Sequence, residues 1–402
     1  MRLDLLLLRE PFEDNFKQTL SYFLSEKFGW QGNITWKRNG SQFSTKNHLR
    51  VNHKLNVIYP VSIDRDSINS FSAEYAFHSN PFRRLAQTLY TQWAIRFPFD
   101  RLLSIAAVEI TPWPDCIDNW CIIPGNHSLR IVDFLKDQCF VILKQGFNKA
   151  FIEQEINIRE NYPELPIPRL KQVGDDGLWY SEERISALPL NRISEIDRQY
   201  AALTEAKLVM NSLYEKTTQH VSSTFWAEQL QHKICEKLAF LPEIYSQNTK
   251  QKLKAIGQNL ASFICAIEDH VIKIVVTHGD FQPANILVPT SKTSRSIYLI
   301  DWEYSSERFE NYDEFVFELK TRFPVGLANR IESLLSKKSK ISEVAYQKNS
   351  LTIAWESWEI ALCLLEELLV RIMENQIPGL KSESKGLNEY AHEVEGMSWL
   401  TG

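Results

Sequence analysis

The stretch Thr277-His278-Gly279-Asp280-Phe281-Gln282-Pro283-Ala284-Asn285, followed by Ile300-Asp301-Trp302-Glu303, decides how this chain is read. A phosphoryl-transfer site needs a carboxylate to orient an attacking hydroxyl, and two further oxygen ligands to hold magnesium against nucleotide phosphates. Asp280 supplies the first; Asn285, five residues on, and Asp301, sixteen residues beyond that, supply the others. Residues 272–276 are a short β-branched run that delivers the loop, 286–288 continue as strand, and 296–300 form a second strand ending on Asp301 after the turn-like 289–294. Such a hairpin brings Asn285 and Asp301 to neighbouring strand ends, within reach of one metal. A hairpin merely capped by Asp and Asn is the plainer reading, and the motif together with its strand context outweighs it.

His278-Gly279-Asp280 with Asn285 and Ile300-Asp301-Trp302-Glu303 resembles the aminoglycoside phosphotransferase and choline kinase group, small-molecule kinases with a protein-kinase-like fold. The continuation Glu303-Tyr304-Ser305-Ser306, with Asp313 ten residues after Glu303, is especially similar to choline and ethanolamine kinases. The resemblance spans residues 116–375, with specific motifs only in 277–313. It implies an α+β, bilobal protein-kinase-like fold with a β-rich small lobe and an α-rich large lobe. ATP and Mg2+ are the implied cofactors, with Asp280 as catalytic base and Asn285 and Asp301 as metal ligands. His278 is expected to fix the loop rather than transfer a proton, since Asp280 already occupies the base position in the resemblance. Asp313 is expected to be structural.

A chain of 402 residues with 44% apolar and 24% charged content is ordinary globular material, long enough for two or three substructures. The net charge of -5 provides no overall basic field, so no nucleic acid partner is implied. The four leucines after Asp4 are too few for a signal-peptide core or a membrane span, and later apolar segments are also broken by charge. The expectation is a soluble, cytoplasmic protein. Six cysteines, at 116, 121, 139, 235, 265 and 363, show no C-x-x-C pair, which favours free thiols over disulfides or structural zinc.

Residues 1–115 are expected to form an N-terminal α/β accessory domain, with helical periodicity over 12–28, a strand near 56–61 and helix over 73–95; a protein partner is assigned to it. The prolines of Thr111-Pro112-Trp113-Pro114-Asp115 mark the boundary. Residues 116–186 read as the small lobe and hinge, with strands at 120–123, 129–134 and 139–144. The turn 124–128 between the first two would lie over nucleotide phosphates, using backbone N–H groups and the Ser128 hydroxyl, although with one glycine it reads equally as an ordinary hairpin turn. Lys144 ends the third strand and the helix 147–161 follows; a lysine held by a helix carboxylate fixes a cation against the α- and β-phosphates. The offset of Glu155 from Pro166-Ile167-Pro168-Arg169, which resembles the family's post-helix segment, selects it over Glu153 as that carboxylate. Residues 178–185 take the hinge position, with Glu183 and Ile185 as the backbone contacts for an adenine ring. Residues 187–402 read as the helical large lobe, with helices near 200–214, 224–241, 250–267, 327–335 and 344–373.

The acceptor is expected to be the hydroxyl of a small molecule. Seven acids and one base between Asp301 and Glu318 favour an amine-bearing alcohol or sugar. Trp355, Trp358 and Glu359, at helical spacing, either offer an aromatic and acidic face to an ammonium group or pack into the core. Two other readings stand beside this one: a nucleotide-binding regulatory pseudokinase, and a kinase acting on a protein hydroxyl.

Overall fold

The computed structural model describes residues 2–38, 47–64, 81–94, 99–290, 295–336 and 355–400, which fall into two compact units. The first comprises residues 1–161 and 167–188. It opens with helices α1 (Leu3–Arg9) and α2 (Phe12–Phe28), strands β1 (Asn33–Arg38), β2 (His48–Asn52) and β3 (Val57–Pro60), and helices α3 (Pro81–Ala94) and α4 (Phe99–Leu103). Strands β4 (Ala106–Thr111), β5 (Trp120–Pro124), β6 (Ser128–Asp133) and β7 (Gln138–Leu143) follow, then helix α5 (Ala150–Asn161) and strands β8 (Leu170–Val173) and β9 (Trp179–Glu183). These strands form a single nine-stranded sheet in the order β1-β4-β2-β3-β5-β6-β7-β9-β8. The short β10 (Ala187–Pro189) closes this part of the chain.

The domain division expected at 115 is therefore corrected. Strand β3 pairs with β5 through Ile58 and Ile122, so the segments on either side of the prolines share one sheet. They also share one core. Phe12, Phe16, Leu20, Phe23 and Leu24 are spaced to line one face of α2, and that face covers the sheet. The Phe23 ring lies 6.0, 5.1 and 5.5 Å from those of Trp120, Phe140 and Trp179. The helix stops at Gly29, whose φ of +64° suits a residue without Cβ, and the Gly29 N–H donates back to Ser25 O. Of the helix expected over 73–95, residues 81–94 are helical; 73–80 and 95 lie outside the described residues.

The second unit comprises residues 162–166 and 189–402. Its elements are α6 (Ile196–Thr217), β11 (Gln219–Ser222), α7 (Ser223–Leu238), α8 (Gln247–Cys265), β12 (Val271–Thr277), β13 (Ile286–Pro289), β14 (Tyr298–Leu299) and β15 (Ser306–Phe309). Helices α9 (Tyr312–Leu319), α10 (Leu327–Ser336), α11 (Ser357–Glu374) and α12 (Lys385–Glu395) complete it. Part of the helix expected over 344–373 is α11, while 344–354 lie outside the described residues. The architecture is thus α+β, with a β-rich first unit and a mostly helical second one. No described helix is long and apolar enough to cross a membrane.

Helix α11 is apolar nearly all round, as a helix enclosed by others must be, yet it carries Glu366, Glu367 and Arg371 inside. Glu366 Oε1 accepts hydrogen bonds from Trp226 Nε1 (2.8 Å) and Phe309 N (2.9 Å). Burial pushes its carboxyl up to about 7, outweighing those two bonds and the nearby Arg308. Because this value lies above the ordinary 4.5, the folded protein holds a proton that the unfolded chain releases. The associated stability is complete below the unfolded value and is lost as pH rises through the folded one. Glu366→Gln is therefore expected to stabilise the protein by up to about 3 kcal/mol near pH 8 and to have little effect near pH 4.5. Thermal melts at the two pH values check this; a pH-independent difference would assign the effect to packing instead.

Candidate active site

The hairpin expected between Asn285 and Asp301 is present. Strands β13 and β14 pair antiparallel with Ile286 opposite Leu299, and Ile300 N donates to Asn285 O at 3.0 Å. Strand β12, held between β11 and β15, delivers the loop that precedes the hairpin. That loop is anchored from below by Asp313, at the start of α9. Its carboxylate accepts the backbone N–H groups of His278 (2.7 Å) and Gly279 (2.9 Å), and also the Tyr214 hydroxyl (2.7 Å). Gly279 has φ +81°, and a Cβ there would lie 2.1 Å from Tyr304 O, so the chain can pass only without a side chain. His278 accepts from Asp280 N at Nδ1 (3.3 Å), which leaves Nε2–H to donate to Ile300 O (3.0 Å). Both ring nitrogens are thus engaged with backbone, and the imidazole ties the loop to the second hairpin strand.

The carboxylate of Asp280 is held on both oxygens. Oδ2 accepts from Asn285 Nδ2 (3.0 Å) and Gln282 Nε2 (2.9 Å), while Oδ1 accepts from Arg322 Nε (2.7 Å). Asn285 Nδ2 also donates to Asp280 O (2.9 Å), so the amide nitrogen is turned toward the loop. Its Oδ1 makes no hydrogen bond among the described residues and is the atom type a hard cation takes. Asp301, in the left-handed region at φ +70°, stands at the adjoining strand end. One carboxylate and one amide oxygen fit magnesium, which keeps most of its positions for water and phosphate.

Arg322 was not singled out by the sequence. Besides Asp280 it donates from Nη2 to Gly279 O (2.7 Å), stacks 4.9 Å from the Tyr304 ring centroid, and approaches Glu367 Oε1 at 3.5 Å. Glu367 in turn accepts from Tyr312 Oη (2.7 Å) and pairs with Arg371 Nε (2.8 Å). Burial alone would raise the Glu367 carboxyl, but Arg322, Arg371 and Tyr312 together hold it below its ordinary value. The base is thereby fastened through Arg322 to an anion inside α11. Arg322→Ala is expected to lower turnover by up to about a hundredfold with little change in nucleotide KM, because a freed carboxylate loses its alignment. Steady-state kinetics and partial rescue by added guanidinium check this, and unchanged turnover would show the ion pair to be dispensable. An isolated arginine after a helix carries no sequence signal for such a role.

In the first unit, Lys144 is not held by Glu155. Phe140, Ile142 and then Lys144 alternate onto the face that α2 covers, and Lys144 Nζ pairs with Glu10 Oε1 at 2.6 Å and with Asn126 O at 2.9 Å. Glu155 meets Tyr180, which lies across from Val141 on the opposite face, and it pairs with Arg159, which also donates to Glu182 (2.7 Å). The pairing of Lys144 with Glu155 is thus corrected by the period of two along β7. Ser128 ends the turn after β5, where Gly125 N donates to its carbonyl (2.8 Å), and Arg9 Nη1 donates to Asn126 Oδ1 (2.5 Å). Glu183 Oε1 accepts from Arg169 N (3.0 Å), and Ile185 lies partly exposed in the segment after β9.

The acidic run is largely engaged inside the second unit. Glu307 accepts from Gln219, Glu310 pairs with Lys273, Asp313 holds the loop, and Glu314 pairs with Lys207. Glu318 accepts from Trp355 Nε1, and burial with the neighbouring Glu314 pushes its carboxyl up to about 7. Five of the seven acids therefore supply little free field to an acceptor, which corrects the electrostatic argument for an amine. Trp355 is buried against Phe315, Trp358 stacks on His270 at 4.6 Å, and Glu359 caps α11 through Glu356 N. The three side chains serve packing and capping rather than one shared aromatic face.

Residues 190–322 match the choline/ethanolamine kinase family model, a span that contains the loop, the hairpin, Asp313 and Arg322. The motifs read from residues 277–313 lie inside that matched span. Among solved structures, choline kinase LicA from Streptococcus pneumoniae is 13% identical, with 71% of this chain and 92% of that chain covered at a TM-score of 0.43. A microcompartment-associated aminopropanol kinase is 14% identical over 70% and 91% of the two chains at a TM-score of 0.37. Spectinomycin phosphotransferase APH(9)-Ia, in complex with ADP and spectinomycin, is 12% identical over 69% and 92% at 0.37. No curated protein sequence matches the chain.

Proposed function

We propose that this small-molecule kinase transfers the γ-phosphoryl group of ATP to a hydroxyl of a small molecule, an alcohol or sugar of the kind that can carry an amine. The observation that carries the reading is the convergence of Asp280, Asn285 and Asp301 on one loop and hairpin, with the loop backbone fixed by Asp313. Asp280 orients the acceptor hydroxyl and takes its proton as the new P–O bond forms. Asn285 Oδ1 and the Asp301 carboxylate would hold Mg2+, which when bound supplies positive charge to the nucleotide phosphates. Positioning and charge neutralisation supply most of the rate in such a reaction. Ser128, Lys144, Glu183 and Ile185 remain the candidates for nucleotide contact, with Lys144 acting beside Asn126 at the turn rather than beside Glu155.

Titration with a non-hydrolysable ATP analogue tests the metal assignment. Wild type is expected to bind at least about tenfold more tightly with magnesium, roughly 1.4 kcal/mol, and Asp301→Ala to lose that increment. Equal magnesium dependence in both proteins would remove Asp301 from the metal site. The burial of Lys144 against Glu10 favours a second reading, a nucleotide-binding regulatory protein without transfer activity. A metabolite-pool screen with labelled ATP, comparing wild type with Asp280→Ala, separates the two: Asp280-dependent phosphate incorporation selects the enzyme.

A further inference from the structure

The two faces of the first unit's sheet divide its charges. Lys144 follows Phe140 and Ile142 onto the face that α2 covers, where its side chain is fully buried and paired with Glu10. The other face carries Ser128 and Arg130 of β6, Val141 and Leu143 of β7, and Tyr180 and Glu182 of β9. Ser128 lies opposite Leu143, and Arg130 and Tyr180 both lie opposite Val141. Along β6, Ser128 and Arg130 are partly exposed, whereas Leu129 and Ile131, on the face under α2, are buried. Helix α5 sends its charges to the second face: Tyr180 Oη donates to Glu155 Oε2 (3.4 Å), and the Arg159 guanidinium lies 4.9 Å from the Tyr180 ring centroid. Arg159 pairs with Glu155 and with Glu182 Oε2 (2.7 Å), and Glu182 Oε1 in turn stands 3.3 Å from Arg130 Nη1. Glu155 thus reaches a cation at the open end of this face through one arginine and one glutamate.

Nucleotide phosphates need a cation that a helix carboxylate holds in place. Lys144 lies on the wrong side of the sheet for Glu155, and on the side that Glu155 does reach β7 ends with the uncharged Leu143. Arg130 is on the adjacent strand, two residues after Ser128, so its guanidinium and the Ser128 hydroxyl share one face beside the turn 124–128. Its side chain is 28% exposed, against 4% for Arg159 and 0% for Lys144, which makes it the one of these three cations that meets solvent. Arg184 has the same parity but follows the far end of β9, where it pairs with Asp137 (2.7 Å). Arg130 can leave Glu182 at small cost, because Arg159 stays on the other carboxylate oxygen and no buried anion is left bare. A guanidinium also offers paired donors that match phosphate oxygens. We propose that Arg130 is the cation that holds the nucleotide phosphates in this chain, positioned by Glu155, Arg159 and Glu182 in series; the assignment rests on the phosphotransfer reading. Lys144 then keeps the turn in place through Asn126 O.

Titration of the full-length protein with a non-hydrolysable ATP analogue, and separately with adenosine, tests this, because adenosine has the base and sugar but no phosphate. Arg130→Met is expected to weaken binding of the magnesium-loaded analogue at least about tenfold and to leave adenosine affinity as in wild type. Arg130→Gln, which can still donate to Glu182, is expected to lose analogue affinity to the same extent, and it carries the test if the methionine variant does not fold. Arg130→Lys is expected to recover part of the loss, since it restores the charge without the planar fork. Wild-type analogue affinity in a folded Arg130→Gln would overturn the assignment. An equal loss for adenosine and the analogue would also overturn it, leaving Arg130 as a structural partner of Glu182. Failure of the wild type itself to bind the analogue would sink the phosphotransfer reading and this assignment with it, whereas wild-type binding with unaffected variants sinks the assignment alone.

Discussion

Asp280→Asn is expected to retain magnesium–nucleotide binding, weakened only as far as Asn285 is displaced, and to lose about 10²- to 10⁴-fold in turnover toward a verified acceptor. Its carboxylate is fixed beside the hairpin ends by three side-chain donors, from Asn285, Gln282 and Arg322. An amide removes the proton acceptor and also breaks this arrangement. Whichever way it turns, its NH₂ faces a donor: Arg322 Nε–H on one side, or the Asn285 and Gln282 amides on the other. That mismatch is expected to cost about 1–3 kcal/mol of local stability, so a melting measurement accompanies the kinetics. Asp280→Ala, without the donor clash, separates lost chemistry from displaced neighbours. Near-wild-type turnover by both variants would remove Asp280 from the catalytic role.

The second large effect concerns the first 110 residues. A fragment of residues 111–402 is expected not to fold its first unit, because it lacks β1 to β4 and the helix α2 that covers the face of Trp120, Phe140 and Trp179. It also lacks Glu10, which leaves the buried Lys144 without its carboxylate, a loss of about 3–5 kcal/mol for a broken buried pair. Phe23→Ala in the full chain probes the same packing more gently and is expected to cost about 3–5 kcal/mol. Near-ultraviolet circular dichroism and denaturant melts report both. A soluble 111–402 fragment that melts cooperatively and binds nucleotide like the full chain would show that the sheet does not need its N-terminal strands.

The catalytic loop and its hairpin were legible because their information is local. Asp280, Asn285 and Asp301 lie within 22 residues, and the β-branched runs around them leave one economical pairing, Ile286 with Leu299. Helices α6, α7, α8 and α10 and part of α11 were legible for the same reason, since an apolar period of 3.6 needs no knowledge of the partner that covers it, whereas α9 and α12 were not expected. The α+β class that the resemblance implied agrees with the strands and helices observed.

Only the tertiary structure decided which charges meet. Lys144 was matched to a glutamate eleven residues away, whereas its partner is Glu10, 134 residues before it. The alternation along β7 places Lys144 with Phe140 and Ile142, but that face becomes the N-terminal one only when α2 packs upon it. Arg322 reaches Asp280 from 42 residues downstream, and the acids after Asp301 are dispersed among lysines, a glutamine and backbone groups of other elements. The division at Pro112 and Pro114 failed likewise, because prolines report where a strand must pause and not whether the strands on either side later pair, as β3 does with β5. Spacing along the chain fixes secondary structure and local motifs; ion pairs and sheet order depend on distances in space, which a one-dimensional pattern contains only where the contact is short-range.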